Sequence, residues 1–301
     1  MPTQGYVEDD PLRAERHRRH LSLPEVGPEG QKKLRAGRVL VVGAGGLGSA
    51  SSLYLVAAGV GAVGLADFDA VELSNLQRQV LHGAADVGRL KVESARDRLL
   101  ALDPGAKVEI HPVRLSRDNA LDLIARYDVV VDGTDNFPSR YVLNDACVTL
   151  GKPYVYGAVC RFEGQASVMA ARGGPCYRCF FAWPPPPEPS PSNGGNGVLG
   201  ALPGLIGCIQ AAETLKLLLD CAGQNGRTLA GRLLLVDAWT MSFRTIPLRR
   251  DPVCPACGGR PALRETADCV GRIADPRNEP PTRARRGHGT EATHGRQYGR
   301  K

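Results

Sequence analysis

A chain of 301 residues with 43% hydrophobic side chains has the mass for one large or two modest globular domains with a well-buried core. No apolar run is expected to be long enough to span a bilayer, and the charged start MPTQGYVEDDPLRAERHRRH has no apolar stretch behind it; membrane and secretory classes are set aside and a cytoplasmic location is the default. The formal net charge of +7 is concentrated in residues 270–301, where eight Arg/Lys face three Asp/Glu, so a nucleic-acid-binding body is not expected.

Residues 1–37 read as an N-terminal arm. RVLVVG (38–43) predicts a buried strand that turns through glycines into a helix from about Gly46 to Ala58. GAVGLADFD (61–69) is the next strand, RLKVESARDRLLALDP (89–104) a helix stopped by Pro104, and KVEIHPV (107–113) a strand. NALDLIARY (119–127) has helical spacing, and DVVVDGTD (128–135) is a fully buried strand with a polar exit. PSRYVLNDACVTLG (138–151) is a helix closed by Gly151, and KPYVYGAV (152–159) a further strand. This alternation predicts an α/β protein built on a Rossmann-like, doubly wound, mostly parallel sheet.

The second half breaks the alternation. GQASVMAARGG (164–174) predicts a strand leaving the parallel pattern, and AWPPPPEPSPSNGGNG (182–197) a long mobile loop. LPGLIGCIQAAETLKLLLD (202–220) is a strongly apolar helix for the sheet or a dimer interface to bury. GRLLLVDA (231–238) and SFRTIPL (242–248) add antiparallel strands. The remainder is rich in Gly, Pro, Arg, Thr and His and is expected to be a disordered, solvated tail.

Four of the nine cysteines form two C-x-x-C pairs, Cys176/Cys179 in CYRC and Cys254/Cys257 in CPAC. Two such turns are the ligand set of a structural zinc site that would staple distant parts of the chain; the alternatives are two unrelated pairs or one redox pair. Cys147, Cys160, Cys208 and Cys221 lie in apolar segments and read as small core residues.

The glycine turn, with Gly43, Gly45 and Gly48 in G-x-G-x-x-G spacing, is a phosphate cradle, and Asp67, nineteen residues after Gly48, is placed for ribose hydroxyls. A nicotinamide or flavin dinucleotide and ATP would both use these features. The residues that follow favour ATP. Asn75, Arg78 and Gln79 come just past the second strand, Lys91 opens a helix, and Asp135 in GTDN ends another strand. A triphosphate undergoing substitution needs cationic side chains as well as backbone amides, and a strand-exit carboxylate suits a hard cation such as Mg²⁺.

The motifs GAGGLGS, DFDAVELSNLQRQ, GRLKVESAR, GTDN, FEGQ, CYRC, GVLG and CPACG, spread over residues 12–259, resemble the ThiF/MoeB/HesA family, the bacterial relatives of ubiquitin-activating enzymes. The nearest branch is the adenylyltransferases that serve molybdopterin synthase. The resemblance implies adenylation, by ATP, of the C-terminal glycine carboxylate of a ubiquitin-like sulfur carrier ending in Gly-Gly. It implies that Gly43, Gly45, Gly46 and Gly48 shape the nucleotide loop and that Asp67 binds the ribose. Asn75, Arg78, Gln79 and Lys91 would hold phosphates, and Asp135 would bind Mg²⁺. Arg19, in RHRRH, would reach into the other subunit's site of a homodimer. Cys176, Cys179, Cys254 and Cys257 would bind structural Zn²⁺. The implied organisation is an adenylation domain over 1–259, with a nucleotide-binding half 38–160, a carrier-binding and zinc half 161–259, and a basic tail 260–301. Many family members carry a cysteine in the mobile loop, where this chain has Asn193. Adenylation without covalent capture of the carrier is therefore expected, with sulfur delivered by an external desulfurase or rhodanese. The competing readings are activation of a peptide or other carboxylate, a dinucleotide-dependent oxidoreductase, and a non-catalytic partner subunit.

Overall fold

The computed structural model describes residues 11–183, 197–220 and 227–258, all within one compact unit. The expected tail, Cys221, and all of the expected mobile loop except 182, 183 and 197 lie outside the described residues.

Three helices precede the sheet: α1 (Pro11–Arg16), α2 (Arg18–Leu21) and α3 (Gly27–Ala36). The alternating half follows as β1 (Arg38–Val42), α4 (Gly46–Ala57), β2 (Ala62–Ala66), α5 (Lys91–Leu102), β3 (Val108–His111), α6 (Arg117–Ala125), β4 (Val129–Asp132), α7 (Phe137–Leu150) and β5 (Tyr154–Cys160). The chain then adds β6 (Glu163–Met169), α8 (Tyr177–Phe180), α9 (Ala201–Leu218), β7 (Arg232–Asp237) and β8 (Ser242–Pro247). One eight-stranded sheet runs in the order β3-β2-β1-β4-β5-β6-β7-β8. The pairs from β3 to β5 are parallel and those from β5 to β8 antiparallel. The α/β class and the antiparallel extension expected from the sequence are both present.

The period of two along β1 builds the layers. Val39 and Val41 face Leu55 and Val56 of α4 and Val92, Ala95 and Leu99 of α5. Leu40 and Val42 face Ala120, Leu123 and Ile124 of α6 and Leu143 and Cys147 of α7. Strands buried on both faces read as unbroken apolar runs, which is why RVLVV, AVGLA and VVV carry no polar alternation.

Three expectations need correction. By length and composition α9 is apolar enough to cross a membrane, yet half of it is buried inside the protein, and its buried face includes Gln210, Glu213 and Thr214. Gln210 Nε2 donates to the carbonyls of Asp132 and Val155 at 2.7 and 2.9 Å, so α9 is a core helix bound to the sheet. Cys160 is exposed rather than core, because β5 outruns β4: the two pair only as far as Val155, and beyond it β5 is paired with β6 alone. Cys208 is half-buried, because it lies off the face of α9 that Leu202, Ile206, Gln210, Thr214 and Leu217 bury.

Candidate active site

β1, β2 and β4 point the same way, so their carboxyl ends form one edge. Backbone hydrogen bonds stitch the three exits together. Gly43 N donates to Ala66 O and Gly133 N to Val42 O, each at 2.8 Å. Gly43 has φ +95°, and a Cβ there would lie 2.6 Å from Gly133 O. At Gly48 a Cβ would lie 1.9 Å from Gly43 O, so the third glycine lets α4 pack directly on the turn it follows. Gly45 differs. Its φ is −80°, and the nearest atom to a Cβ would be Gln79 Nε2 at 3.7 Å, which leaves this side of the turn open. The first amides of α4 thus rise beside an accessible turn, the arrangement that holds a phosphate.

The side chains expected from the sequence come to this edge from β2 and the segment after it. Asp67 follows β2 directly, which ends the strand earlier than the expected Asp69. Its two oxygens accept from Ala44 N at 2.7 Å and Asp69 N at 2.8 Å, so it anchors the glycine turn. Asn75 is buried and closes a short 3-10 turn, its Oδ1 accepting from Glu72 N at 3.3 Å. Arg78 is half-buried, donates to Ser74 O at 3.0 Å, and has its own carbonyl 3.4 Å from where a Gly46 Cβ would be. Gln79 is buried beside Gly45, and its Oε1 has no partner among the described residues. Lys91 opens α5, where its backbone amide donates to Asp69 O at 2.9 Å and its Nζ lies 3.0 Å from Asp69 Oδ2.

Two residues of this edge had no place in the sequence reading. Asp69 is the ion-pair partner of Lys91. His82 is buried and bonds the glycine turn: its Nε2 donates to Ala44 O at 3.0 Å, and its Nδ1 accepts from Ser94 Oγ at 2.9 Å. Burial holds the His82 imidazole below its ordinary pKa, and nearby Lys91 acts in the same direction. The carbonyl of Ala44 fixes the proton on Nε2, and in the neutral ring that burial favours Nδ1 accepts from the Ser94 hydroxyl.

Asp135 is exposed two residues beyond Gly133, with Asn136 Nδ2 3.5 Å from its Oδ1. Asn136 caps α7, its Oδ1 accepting from Ser139 N at 3.0 Å. Below them lies a buried ion pair. Asp132 Oδ1 accepts from Thr134 N and Oγ1 at 3.0 and 2.7 Å, and Arg140 Nη2 donates to Thr134 O at 3.1 Å. Both members therefore grip the turn that carries Asp135. One open carboxylate beside a phosphate cradle fits Mg²⁺, which keeps several waters and takes its remaining ligands from substrate phosphates.

Arg19 is not at this edge. It is exposed on α2, and the neighbouring arm residues bond the other end of the sheet: Arg13 donates to Gly105 O at 3.1 Å and Arg16 to Leu102 O at 3.2 Å.

The four paired cysteines converge. Their sulfurs all lie within 4.8 Å of one another, with 3.9 Å between Cys176 and Cys179, 3.6 Å between Cys176 and Cys254, and 3.4 Å between Cys179 and Cys257. A tetrathiolate zinc with bonds of about 2.3 Å has S···S edges of about 3.8 Å, so the cluster fits a zinc site. Asp251 N donates to Cys179 Sγ at 3.4 Å, a backbone contact of the kind that orients thiolate ligands. Four protein sulfurs would leave no coordination position open, which is the mark of a structural site.

A parallel sheet with a glycine turn, cationic side chains and an open carboxylate at one edge, joined to a four-cysteine knot, defines a nucleotide-binding α/β protein. The model of the ThiF family matches residues 17–256, and the chain belongs to that family. It is 52% identical over 259 residues to the sulfur carrier protein adenylyltransferase of Thermus thermophilus, covering 84% of this chain and 94% of that protein. It is also 52% identical over 244 residues to the probable adenylyltransferase/sulfurtransferase MoeZ of Mycobacterium tuberculosis, covering 80% of this chain but 61% of that longer relative. Among solved structures, E. coli MccB with MccA-N7isoASN superposes with a TM-score of 0.72 at 22% identity, over 81% of this chain and 74% of that one. At that identity the likeness speaks for the fold. The chain is an adenylyltransferase, and use of ATP follows from that class.

Proposed function

We propose that this chain adenylates the C-terminal glycine carboxylate of a ubiquitin-like sulfur carrier. The observation that carries the reading is the identity of 52% to a sulfur carrier protein adenylyltransferase across nearly all of that protein's length. The site geometry supports it. A carboxylate oxygen of the carrier attacks the α-phosphorus of ATP, the bond from that phosphorus to the bridging oxygen breaks, and pyrophosphate leaves with the electron pair. Gly43, Gly45, Gly46 and Gly48 let backbone amides hold the phosphates, and Asp67 receives the ribose. Asn75, Arg78, Gln79 and Lys91 carry the charge that grows on the phosphoryl oxygens. Lys91 would exchange Asp69 for a phosphate as ATP enters. Asp135 would hold Mg²⁺, which supplies charge neutralisation to the leaving pyrophosphate. Arg19 would come from a second copy in a homodimer, since the arm bonds the far end of its own sheet. Cys176, Cys179, Cys254 and Cys257 would hold Zn²⁺ as a structural ion.

Exposed Trp239 and Met241 at the β7–β8 turn, with Phe243 of β8, offer an apolar surface to a folded carrier. A desulfurase or separate rhodanese would supply sulfur to the adenylate, and a cytoplasmic location goes with this chemistry.

The test is ATP–pyrophosphate exchange with the organism's own Gly-Gly-ended carriers. Exchange should require the carrier and vanish when its last glycine is removed. Exchange driven equally by a short peptide would replace this reading with peptide activation, for which the MccB likeness offers only the fold.

A further inference from the structure

His82 has no place in the chemistry above, yet it is buried at the nucleotide edge and joins two of its elements. Its Nε2 donates to Ala44 O at 3.0 Å, and its Nδ1 accepts from Ser94 Oγ at 2.9 Å. Ala44 stands between Gly43 and Gly45, and its N–H donates to Asp67 Oδ2 at 2.7 Å. Both backbone polar groups of Ala44 are therefore held, and each bond fixes one peptide plane. A trans peptide aims its C=O and N–H in opposite directions. With the Ala44 carbonyl drawn onto the imidazole, the Gly45 N–H of the same peptide points away from it. Gly45 is half-buried, and a Cβ there would meet nothing nearer than Gln79 Nε2 at 3.7 Å, so a phosphate can approach its backbone. The other ring nitrogen leads to α5. Ser94 is buried on that helix three residues after Lys91, and so lies on the same side of it. The imidazole ties the glycine turn to the helix that carries Lys91.

We propose that His82 is a positioning residue for ATP: it aims the Gly45 amide at the phosphates and locks the glycine turn against the helix of Lys91. The proposal rests on the reading of that turn as the nucleotide cradle. A packing role would need only the bulk of the ring. This role needs a hydrogen-bond donor at the place of Nε2, because a buried Ala44 carbonyl without one is free to turn, and the Gly45 N–H turns with it. Glutamine carries an N–H donor as many bonds from Cβ as His Nε2. Methionine has similar length and bulk and no donor.

The test compares His82→Gln with His82→Met in the full chain. In carrier-dependent pyrophosphate exchange, His82→Met should raise KM for ATP about tenfold, the scale of one hydrogen bond to a charged group. His82→Gln should stay within roughly twofold of wild type, and KM for the carrier should be unchanged in both. Labelling with ¹⁵N-glycine, with Gly45 assigned from the spectrum of Gly45→Ala, reads the amide itself. Its ¹⁵N resonance responds to a hydrogen bond on the preceding carbonyl, so without nucleotide it should move in His82→Met and stay near wild type in His82→Gln. Should His82→Met not fold, Ser94→Ala takes its place: it removes only the partner of Nδ1, and should displace the Gly45 resonance and raise KM for ATP by a smaller factor. Equal KM values for ATP in the glutamine and methionine variants would overturn the proposal. So would a Gly45 resonance that neither His82→Met nor Ser94→Ala displaces. If ATP leaves the Gly45 resonance of the wild type unmoved, the reading of the turn as the cradle fails, and the proposal with it.

Discussion

Lys91 has exchanged water for Asp69: its side chain is 9% exposed while that of Asp69 is 47% exposed. Removing the lysine therefore leaves its partner solvated and strands no buried charge, so the fold should barely respond. Lys91→Ala should lower carrier-dependent pyrophosphate exchange by on the order of 100-fold, the scale of losing one preorganised contact to developing charge. Its denaturation midpoint should stay near that of the wild type. A parallel collapse of both would make Lys91 structural. The lysine was legible because it opens a helix, but Asp69 was not, since DFD offers two carboxylates and only the folded turn decides which meets the lysine. His82 gave no signal, being a lone histidine whose partner is a backbone carbonyl thirty-eight positions away. Cys160 misled because its apolar context is genuine; what exposes it is the length of β5 relative to β4. With zinc bound, Cys160 should be the first of Cys147, Cys160 and Cys208 to be alkylated. Cys208, where burial raises the thiol pKa, should follow, and Cys147, fully buried and shifted the same way, should react only on unfolding. Mass spectrometry of iodoacetamide-treated protein reads that order directly. The same exposure makes Cys160 the thiol to check first if a non-reducing gel shows an enzyme–carrier band despite the loop's lack of cysteine.

Among the elements, the turn between β1 and α4 separates two jobs that the glycine pattern leaves merged. Gly48 serves packing: a methyl group there would meet Gly43 O at 1.9 Å, and backbone on both sides cannot yield cheaply. Gly48→Ala should cost on the order of 3 kcal/mol in chemical denaturation. Gly45 serves approach. Its negative φ suits alanine, and a methyl group would find only the Gln79 amide at 3.7 Å, so Gly45→Ala should fold nearly as well as wild type yet bind ATP more weakly. Equal stability losses in both variants would contradict this division. The strands and long helices were legible because each carries an apolar face of the right period, and the differences at their ends are a few residues. The three N-terminal helices were not. Neither α1 nor α2 has a buried residue, and α3 buries Gly30, Gln31 and Leu34, of which only Leu34 is a large apolar side chain. What holds α3 is largely polar, with Gln31 Nε2 donating to Ala58 O at 2.9 Å, and no hydrophobic pattern records such a bond.

At the scale of the whole molecule, His17, His82 and His111 lie in separate regions, and burial, the leading cause for each, lowers all three below the ordinary 6.5. The unfolded chain then binds more protons, so stability should fall as pH drops below about 6.5 and level off once the folded-state values are passed. Glu109 acts lower still: burial opposes its ionisation, but bonds from Tyr127, Arg38 and Lys107 outweigh it and hold its pKa at about 2, so its contribution goes between 4.5 and that value. Urea midpoints at pH 7.5 and 5.5, in a buffer without phosphate, should show the lower value at pH 5.5; equal midpoints would mean the imidazoles gain compensation on protonation. The arm raises a question of assembly. Arg19 is exposed on α2, its neighbours Arg13 and Arg16 bond the α5–β3 side, and Asp135 leaves the opposite edge of the sheet. Unless the arm detaches, one chain cannot bring the two together, so a role for Arg19 in adenylation requires a second copy. Arg19→Ala and Asp135→Ala should then each be inactive alone. Mixed and allowed to exchange subunits, half of the dimers would be heterodimers, and each would contain one site with an intact Asp135 facing an intact Arg19. Activity should recover to about one quarter of wild type, as symmetric two-chain sites require. Failure to recover activity, with subunit exchange verified by mass spectrometry, would place Arg19 in its own chain's chemistry or in none.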